Sequence, residues 1–195
     1  MAIEIMNISK VYGSNVIFDS FSGKIETGAV TCFMGSSGQG KTTLLRIILG
    51  LEQPDSGQIT GMLDMRKSAV FQEYRLCENI SAAANIQLVC VKPLKTSNIV
   101  ESMSAVGLPP DCAAQTAHSM SGGQRRRIAI LRALLAEYDI LCMDEPFKGL
   151  DAETKEKTML YTKEQSKGKT VILVTHDKTE CEVMDGKIIE IRRVC

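Results

Sequence analysis

The chain lacks any apolar run approaching the roughly 20 residues that cross a bilayer as a helix, so no membrane span is expected. Its first residues, Met1-Ala2-Ile3-Glu4-Ile5, carry neither a basic segment nor a long apolar one and do not read as a secretory signal. Net charge is also absent: 23 Lys and Arg balance 23 Asp and Glu. That balance argues against a long basic surface, and nucleic acid is not an expected partner. There is no Cys-x-x-Cys, and the two histidines do not stand at zinc spacing from any cysteine. The seven cysteines are odd in number, and Cys32 and Cys142 lie inside apolar runs, which suits buried thiols in a reducing cytoplasm. Neither repeats nor low-complexity tracts occur, and no long coiled-coil insertion is visible. What remains, at 195 residues, is one globular domain with a sizeable core and room for a small inserted lobe.

The most informative stretch is Gly35-Ser36-Ser37-Gly38-Gln39-Gly40-Lys41-Thr42-Thr43, which fits the phosphate-binding pattern G-x-x-x-x-G-K-[ST]. Ala29 to Met34 before it is an apolar run of strand length, and Leu44 to Leu49 after it reads as a helix stopped by Gly50. A strand, a glycine loop and a helix N-terminus together make an anion site, because backbone N–H groups and the helix dipole converge there. Lys41 is expected to reach the β- and γ-phosphates and the Thr42 hydroxyl to ligate Mg²⁺.

A second constellation is Ile140-Leu141-Cys142-Met143-Asp144-Glu145-Pro146, a buried-strand pattern ending in two carboxylates. In a parallel sheet, catalytic groups gather at the carboxyl ends of strands. Asp144 is expected to hold the metal and Glu145 to act as general base on the attacking water. A third is Met120-Ser121-Gly122-Gly123-Gln124 before Arg125-Arg126-Arg127, where Ser121 is a good helix N-cap and the glycines allow close approach to an anion.

Around these motifs the pattern is α/β. Ile3, Ile5 and Ile8 begin a strand, Gly13-Ser14-Asn15 is a turn, and Val16 to Ile25 supplies a hairpin partner. Pro54-Asp55-Ser56-Gly57 turns into a short Gln58-Ile59-Thr60 strand, and Ala69-Val70-Phe71 forms another, closed by Gln72. From Cys77 to Met120 the character is helical, with helices expected over Asn79–Val89 and Lys95–Val106. That block reads as a lobe inserted into the core, although the same periodicity suits helices of the main layer. Arg125–Ala136 is expected as a helix, Ala152–Gln165 as a charged exposed helix, and Thr170–Val174 and Lys187–Ile191 as strands. The given sequence stops just after the last of these, and no C-terminal regulatory domain is expected.

In order, these motifs resemble those of the nucleotide-binding subunits of ATP-binding cassette (ABC) transporters: Gly35 to Thr43 as Walker A, Gln72 as Q-loop, Met120 to Gln124 as signature, Asp144-Glu145 as Walker B, Leu150-Asp151 as D-loop and His176 as switch. The signature is the specific element, since glycine phosphate loops serve many NTPases. The resemblance covers nearly the whole chain. It implies a P-loop NTPase α/β core with an antiparallel β arm, the core being residues 1–75 and 121–195, and a helical subdomain over 76–120.

The resemblance further implies ATP and Mg²⁺ as ligands, with Thr42, Gln72 and Asp144 at the metal and Glu145, His176 and Gln72 in catalysis. Tyr12 would stack on adenine. Ser121, Gly122, Gly123 and Gln124 would serve the γ-phosphate held by a second subunit, with Asp151 at that interface. The implied partners are that second subunit, a membrane permease and a substrate-binding protein. The implied place is the cytoplasmic face of the cell membrane. Importers of the nitrate/sulfonate/taurine type are the nearest likeness. A soluble ATPase of cofactor assembly and a nucleotide-gated module without turnover remain as alternatives.

Three departures stand out. Met120 replaces the family's usual leucine, and the stretch from Gly61 to Phe71 is short. Lys148-Gly149 precede Leu150-Asp151 where Ser-Ala is usual.

Overall fold

The computed structural model describes residues 2–191. Its centre is a parallel sheet of five strands, β3 (Val30–Met34), β5 (Lys67–Val70), β6 (Ile140–Asp144), β7 (Thr170–Val174) and β8 (Lys187–Glu190), in the spatial order β5-β6-β7-β3-β8. The three inner strands are apolar apart from Thr31, Thr170 and the terminal Asp144, because both faces are covered. Side chains alternate between two cores, as the two-residue period of a strand requires. Phe33, Ile140, Cys142, Ile172 and Val174 enter one core; Cys32, Met34, Leu141, Met143, Val171 and Leu173 enter the other.

The first core is roofed by an antiparallel sheet, β2 (Asn15–Glu26), β1 (Ala2–Tyr12) and β4 (Ser56–Thr60), in that order. Ile3, Ile5, Ile8, Ile17, Phe18 and Ile25 pack from it onto α1 (Lys41–Leu49), which presents Leu44, Leu45, Ile47 and Ile48. Gly50 ends α1 in the left-handed conformation at φ 77°, as its sequence position predicts. Both hairpin strands run longer than the sequence pattern indicates. Register shifts beside Asn7 and Ser20, both at positive φ, let β1 and β2 stay paired while the apolar alternation slips.

Between β5 and β6 lie α2 (Ala82–Gln87), α3 (Thr96–Ala105), two short 3-10 turns, and α4 (Gly122–Leu134). α2 is shorter than the expected Asn79–Val89. Ser81 caps it, and the buried Asn85 carboxamide bonds the backbone of Cys77, Ile80 and Ser81, which keeps those residues out of the helix. Ala82, Ile86, Ile99, Met103, Val106 and Leu108 form a third core, which Ile128 and Leu131 of α4 complete. The other flank of α4, with Ile130, Ala133 and Leu134, packs on the parallel sheet.

α5 (Ala152–Gln165) keeps the predicted bounds but is not wholly exposed. Thr158, Met159 and Thr162 are buried, and the threonine hydroxyls donate to carbonyls four residues back, which removes the cost of burying them. α6 (Lys178–Val183), capped by Asp177, leads through the Asp185-Gly186 turn to β8. Six of the seven cysteines fall among the described residues, and all six are free thiols, Cys32 and Cys142 buried as expected.

Candidate active site

Strand register sets the site. Asp144 pairs with Val174, and Val174 with Phe33, so β6, β7 and β3 end level. The residues that follow, Glu145, Thr175 and the glycine loop, therefore open onto one edge. Backbone hydrogen bonds continue the ladder past the strands, from Glu145 N to Val174 O at 2.9 Å and from Thr175 N to Phe33 O at 3.2 Å.

The loop from Gly35 to Gly40 is shaped by close approaches. A Cβ on Gly40, at φ 87°, would lie 2.4 Å from Ile17 Cγ2 and 2.8 Å from Phe18 Cζ, so no other residue fits beneath the hairpin. Gln39 Oε1 accepts from Ser36 N at 2.7 Å and closes the loop on itself. The buried Lys41 ammonium donates to the carbonyls of Gly35 and Ser36, each at 2.8 Å. A triphosphate would have to draw it from these two carbonyls.

Ile17, Ser37, Gly38, Gly40, Lys41, Thr42, Thr43, Gln72, Asp144 and Glu145 line a cavity of about 190 Å³. Gly35, Ser36 and Gln39 face a neighbouring recess that His176 also lines. Within the cavity the Thr42 hydroxyl donates to Asp144 Oδ2 at 2.7 Å, and Gln72 Nε2 lies 3.5 Å from Asp144 Oδ1. Burial pushes the Asp144 carboxyl up from its ordinary value, against the pull of Thr42 and Gln72. These are hard oxygen donors, the set that suits Mg²⁺ completed by phosphate oxygens. Turning the Gln72 amide over would exchange its NH₂ for its carbonyl oxygen.

Glu145 sits at φ 45°, in the left-handed region that a non-glycine residue seldom occupies. Its Oε1 lies 3.3 Å from His176 Nδ1 and its Oε2 2.9 Å from Lys148 Nζ. Burial pushes this carboxyl up, but Lys148 and then His176 outweigh it, and the group is held below the usual glutamate range.

Behind His176 lies a cluster that sequence reasoning missed. Lys155 contacts Asp177 Oδ2 at 2.6 Å and Glu180 Oε1 at 2.7 Å, and Thr175 donates to Glu180 Oε2 at 2.6 Å. It ties the first turn of α5 to the segment carrying His176. The signal, Thr175-His176-Asp177 followed by Glu180, spans a helix too short for periodicity to reveal.

The remaining predicted residues lie outside this cavity. Tyr12 is 44% exposed, with the Lys10 ammonium 5.2 Å from its ring. Ser121 caps α4, which begins at Gly122 rather than at Arg125. Its hydroxyl accepts from Gln124 N, and Gln124 Oε1 accepts from Ser121 N, so the Ser-x-x-Gln spacing is a capping box. Gly122 and Gly123 are therefore helical; a Cβ on Gly122 would meet Tyr74 Oη at 3.0 Å, and one on Gly123 would meet Leu150 Cδ2 at 3.6 Å. Asp151 caps α5 through Thr154 N at 3.0 Å.

Gln72 does not close a strand, because β5 stops at Val70. The buried Arg126 guanidinium takes the carbonyls of Phe71 and Gln72, at 2.9 and 2.8 Å, and pulls both out of the ladder. Arg126 was visible in sequence only as one of three basic residues opening a helix.

Comparison with known proteins agrees with this arrangement. Residues 18–148 match the family model described as ABC transporter. The sulfate/thiosulfate import ATP-binding protein CysA of Rhodopseudomonas palustris is 36% identical over 97% of this chain, which spans 60% of that protein's length. The aliphatic sulfonates import ATP-binding protein SsuB 2 of Paraburkholderia xenovorans is 34% identical, over 98% of this chain and 77% of that one. The dimeric structure of MJ0796, a bacterial ABC transporter cassette, superposes with a TM-score of 0.84 at 28% identity, covering 97% of this chain and 94% of that one. MJ0796 is also known as a dimer in a post-hydrolysis state bound to ADP and Pi. The glycine loop under the hairpin, the carboxylate pair at the end of β6 and the capped Ser121 helix thus stand in a chain that belongs to the ABC transporter family.

Proposed function

We propose that this chain hydrolyses ATP and thereby powers a separate membrane permease, acting as one of two paired nucleotide-binding subunits. The observation that carries the proposal is the level ending of β3, β6 and β7. It sets Lys41, the Thr42–Asp144 pair and the Glu145–His176 pair on one edge. In this reading residues 1–75 and 121–195 are the α/β core, and residues 76–120 are a helical subdomain.

Gly35 to Thr43 cradle the phosphates of ATP, and the Lys41 ammonium neutralises the β- and γ-phosphates. Tyr12, exposed at the hairpin end, carries the adenine. Thr42, Asp144 and Gln72 hold Mg²⁺, which supplies charge neutralisation to the phosphates when bound. Glu145 accepts a proton from water as the water oxygen bonds the γ-phosphorus. The bond from that phosphorus to the bridging oxygen breaks, and ADP leaves with the electron pair. His176, beside Glu145, orders the γ-phosphate.

Ser121, Gly122, Gly123 and Gln124 meet the γ-phosphate bound by the second subunit, with Asp151 at the same interface. The dimeric MJ0796 cassette supports that pairing. Among the described residues no helix is long and apolar enough to cross a membrane. In this reading attachment to the inner face of the cell membrane runs through the permease, docked near Gln72, Glu73, Tyr74 and Cys77. The relatives named for sulfate, thiosulfate and sulfonate import support an importer; in this reading a substrate-binding protein serves it, and the ligand is set outside this chain.

Phosphate release tests the proposal. The purified chain with Mg²⁺ and ATP should release phosphate, and Glu145→Gln should slow release by roughly 10²–10⁴-fold. Co-expressed with its permease, the chain should sediment with membranes. A chain that binds ATP without turnover would be a nucleotide-gated module instead.

A further inference from the structure

The turn after β6 holds a cation that the family resemblance does not account for. Lys148 stands where Ser is usual, and its ammonium lies 2.9 Å from Glu145 Oε2. A lysine that is 64% exposed would ordinarily form a weak and mobile ion pair. Two features set this one apart. First, the Glu145 side chain is only 13% exposed, and its buried Oε2 accepts no hydrogen bond among the described residues, so the ion pair with Lys148 is what meets its charge. Second, the backbone between the two residues is fixed. Glu145 N is bonded to Val174 O, Lys148 N donates back to Glu145 O at 3.3 Å, and Phe147, 1% exposed, anchors the turn in the core. The lysine is thereby delivered to the carboxylate.

We propose that Lys148 is a positioning residue for Glu145, holding Oε2 while His176 faces Oε1, so that the carboxylate keeps one orientation toward the attacking water. The inference rests on the reading of Glu145 as the base. A base that rotates freely presents a lone pair to water for only part of the time, and small misplacements of reacting groups are costly in rate.

The test is phosphate release at saturating Mg²⁺ and ATP, over a range of protein concentrations, for the parent, Lys148→Met, Lys148→Arg, Glu145→Gln and the Glu145→Gln/Lys148→Met double variant. We expect Lys148→Met to lower kcat by about tenfold with KM for ATP within about twofold of the parent. Lys148→Arg should recover most of that loss. In the Glu145→Gln background, Lys148→Met should change nothing, because its effect is exerted through the carboxylate. Parental kcat in Lys148→Met overturns the proposal. So does an equal loss in the Glu145→Gln background, or a loss that disappears at high protein concentration, which would make Lys148 an interface residue. A parental rate in Glu145→Gln alone overturns the assignment of the base itself, a separate result read from a separate variant.

Discussion

The Thr42 hydroxyl donates to Asp144 Oδ2 at 2.7 Å, joining the first turn of α1 to the end of β6 across 102 positions of sequence. β6 and the helix that follows β3 thus contribute to one group of oxygens, although β7 lies between the two strands.

Lys41 sits one residue before that pair and donates to two loop carbonyls. A charge-assisted contact to phosphate contributes about 1.5–3 kcal/mol. Lys41→Ala should therefore weaken ATP binding about tenfold or more and abolish turnover. Calorimetry with Mg²⁺ present checks this, and unchanged affinity would remove Lys41 from the phosphate site.

Gly40→Ala should destabilise the fold as well as the site. The added methyl would strike Ile17 and Phe18 at a backbone φ of 87°. Overpacking and left-handed strain together cost about 2–4 kcal/mol. Thermal denaturation should show a melting temperature lower by several degrees, whereas Gly38→Ala, whose Cβ meets nothing within 4 Å, should lose less.

Lys155→Met should strand the buried Glu180 carboxylate without its cation. Breaking such a pair from one side costs about 3 kcal/mol. The pH dependence follows from Asp177, whose carboxyl the Lys155 ammonium holds below its ordinary 3.8. A depressed carboxyl stabilises the fold above its unfolded value and loses that contribution as pH falls through the folded one. The parent should therefore hold this stability to below pH 3.8, and Lys155→Met should begin to unfold at higher pH. Urea titrations across the acid range would read the difference; coincident curves would exclude the clamp.

Glu145→Gln should trap the paired state with Mg²⁺ and ATP, since it removes the base and leaves Lys41, Thr42 and Asp144 in place. Size-exclusion chromatography should show a dimer. Adding Ser121→Arg should return it to monomer by placing bulk at the α4 cap. A monomer at saturating ATP would mean that pairing needs the permease.

The parts of this site that sequence makes visible are those with a fixed local spacing. Gly35 to Thr43 and Asp144-Glu145 are continuous, and each comes at the end of an apolar run that forms a strand. The bounds of α5 agree with the expected Ala152–Gln165, and Asp151 caps its first turn. Its buried side was not legible, because threonines form it and look polar until their hydroxyls bond back to the helix.

Residues that act through long-range contacts were not legible either. Arg126 resembles any cation in a basic run until Phe71 and Gln72 arrive beside it. α4 starts three residues before the expected Arg125: glycines favour a loop, whereas the capping box at Ser121 and Gln124 carries them into the helix. The expected sulfonate-type likeness has its counterpart in SsuB 2, but CysA matches as well, so these motifs do not separate the importer types.

The double burial of α4 gives the molecule an axle. One flank of the helix is locked to the parallel sheet by Ile130, Ala133 and Leu134, the other to α2 and α3 by Ile128 and Leu131. The helical segment cannot swing as a separate rigid piece without either repacking Ile128 and Leu131 or rolling α4 on the sheet. A roll would sweep the Ser121 end sideways while Asp144 and Glu145, fixed in the ladder, stay still. Through Arg126 the same roll would tug the carbonyls of Phe71 and Gln72, so force applied at the helices would arrive at the phosphate edge as torque.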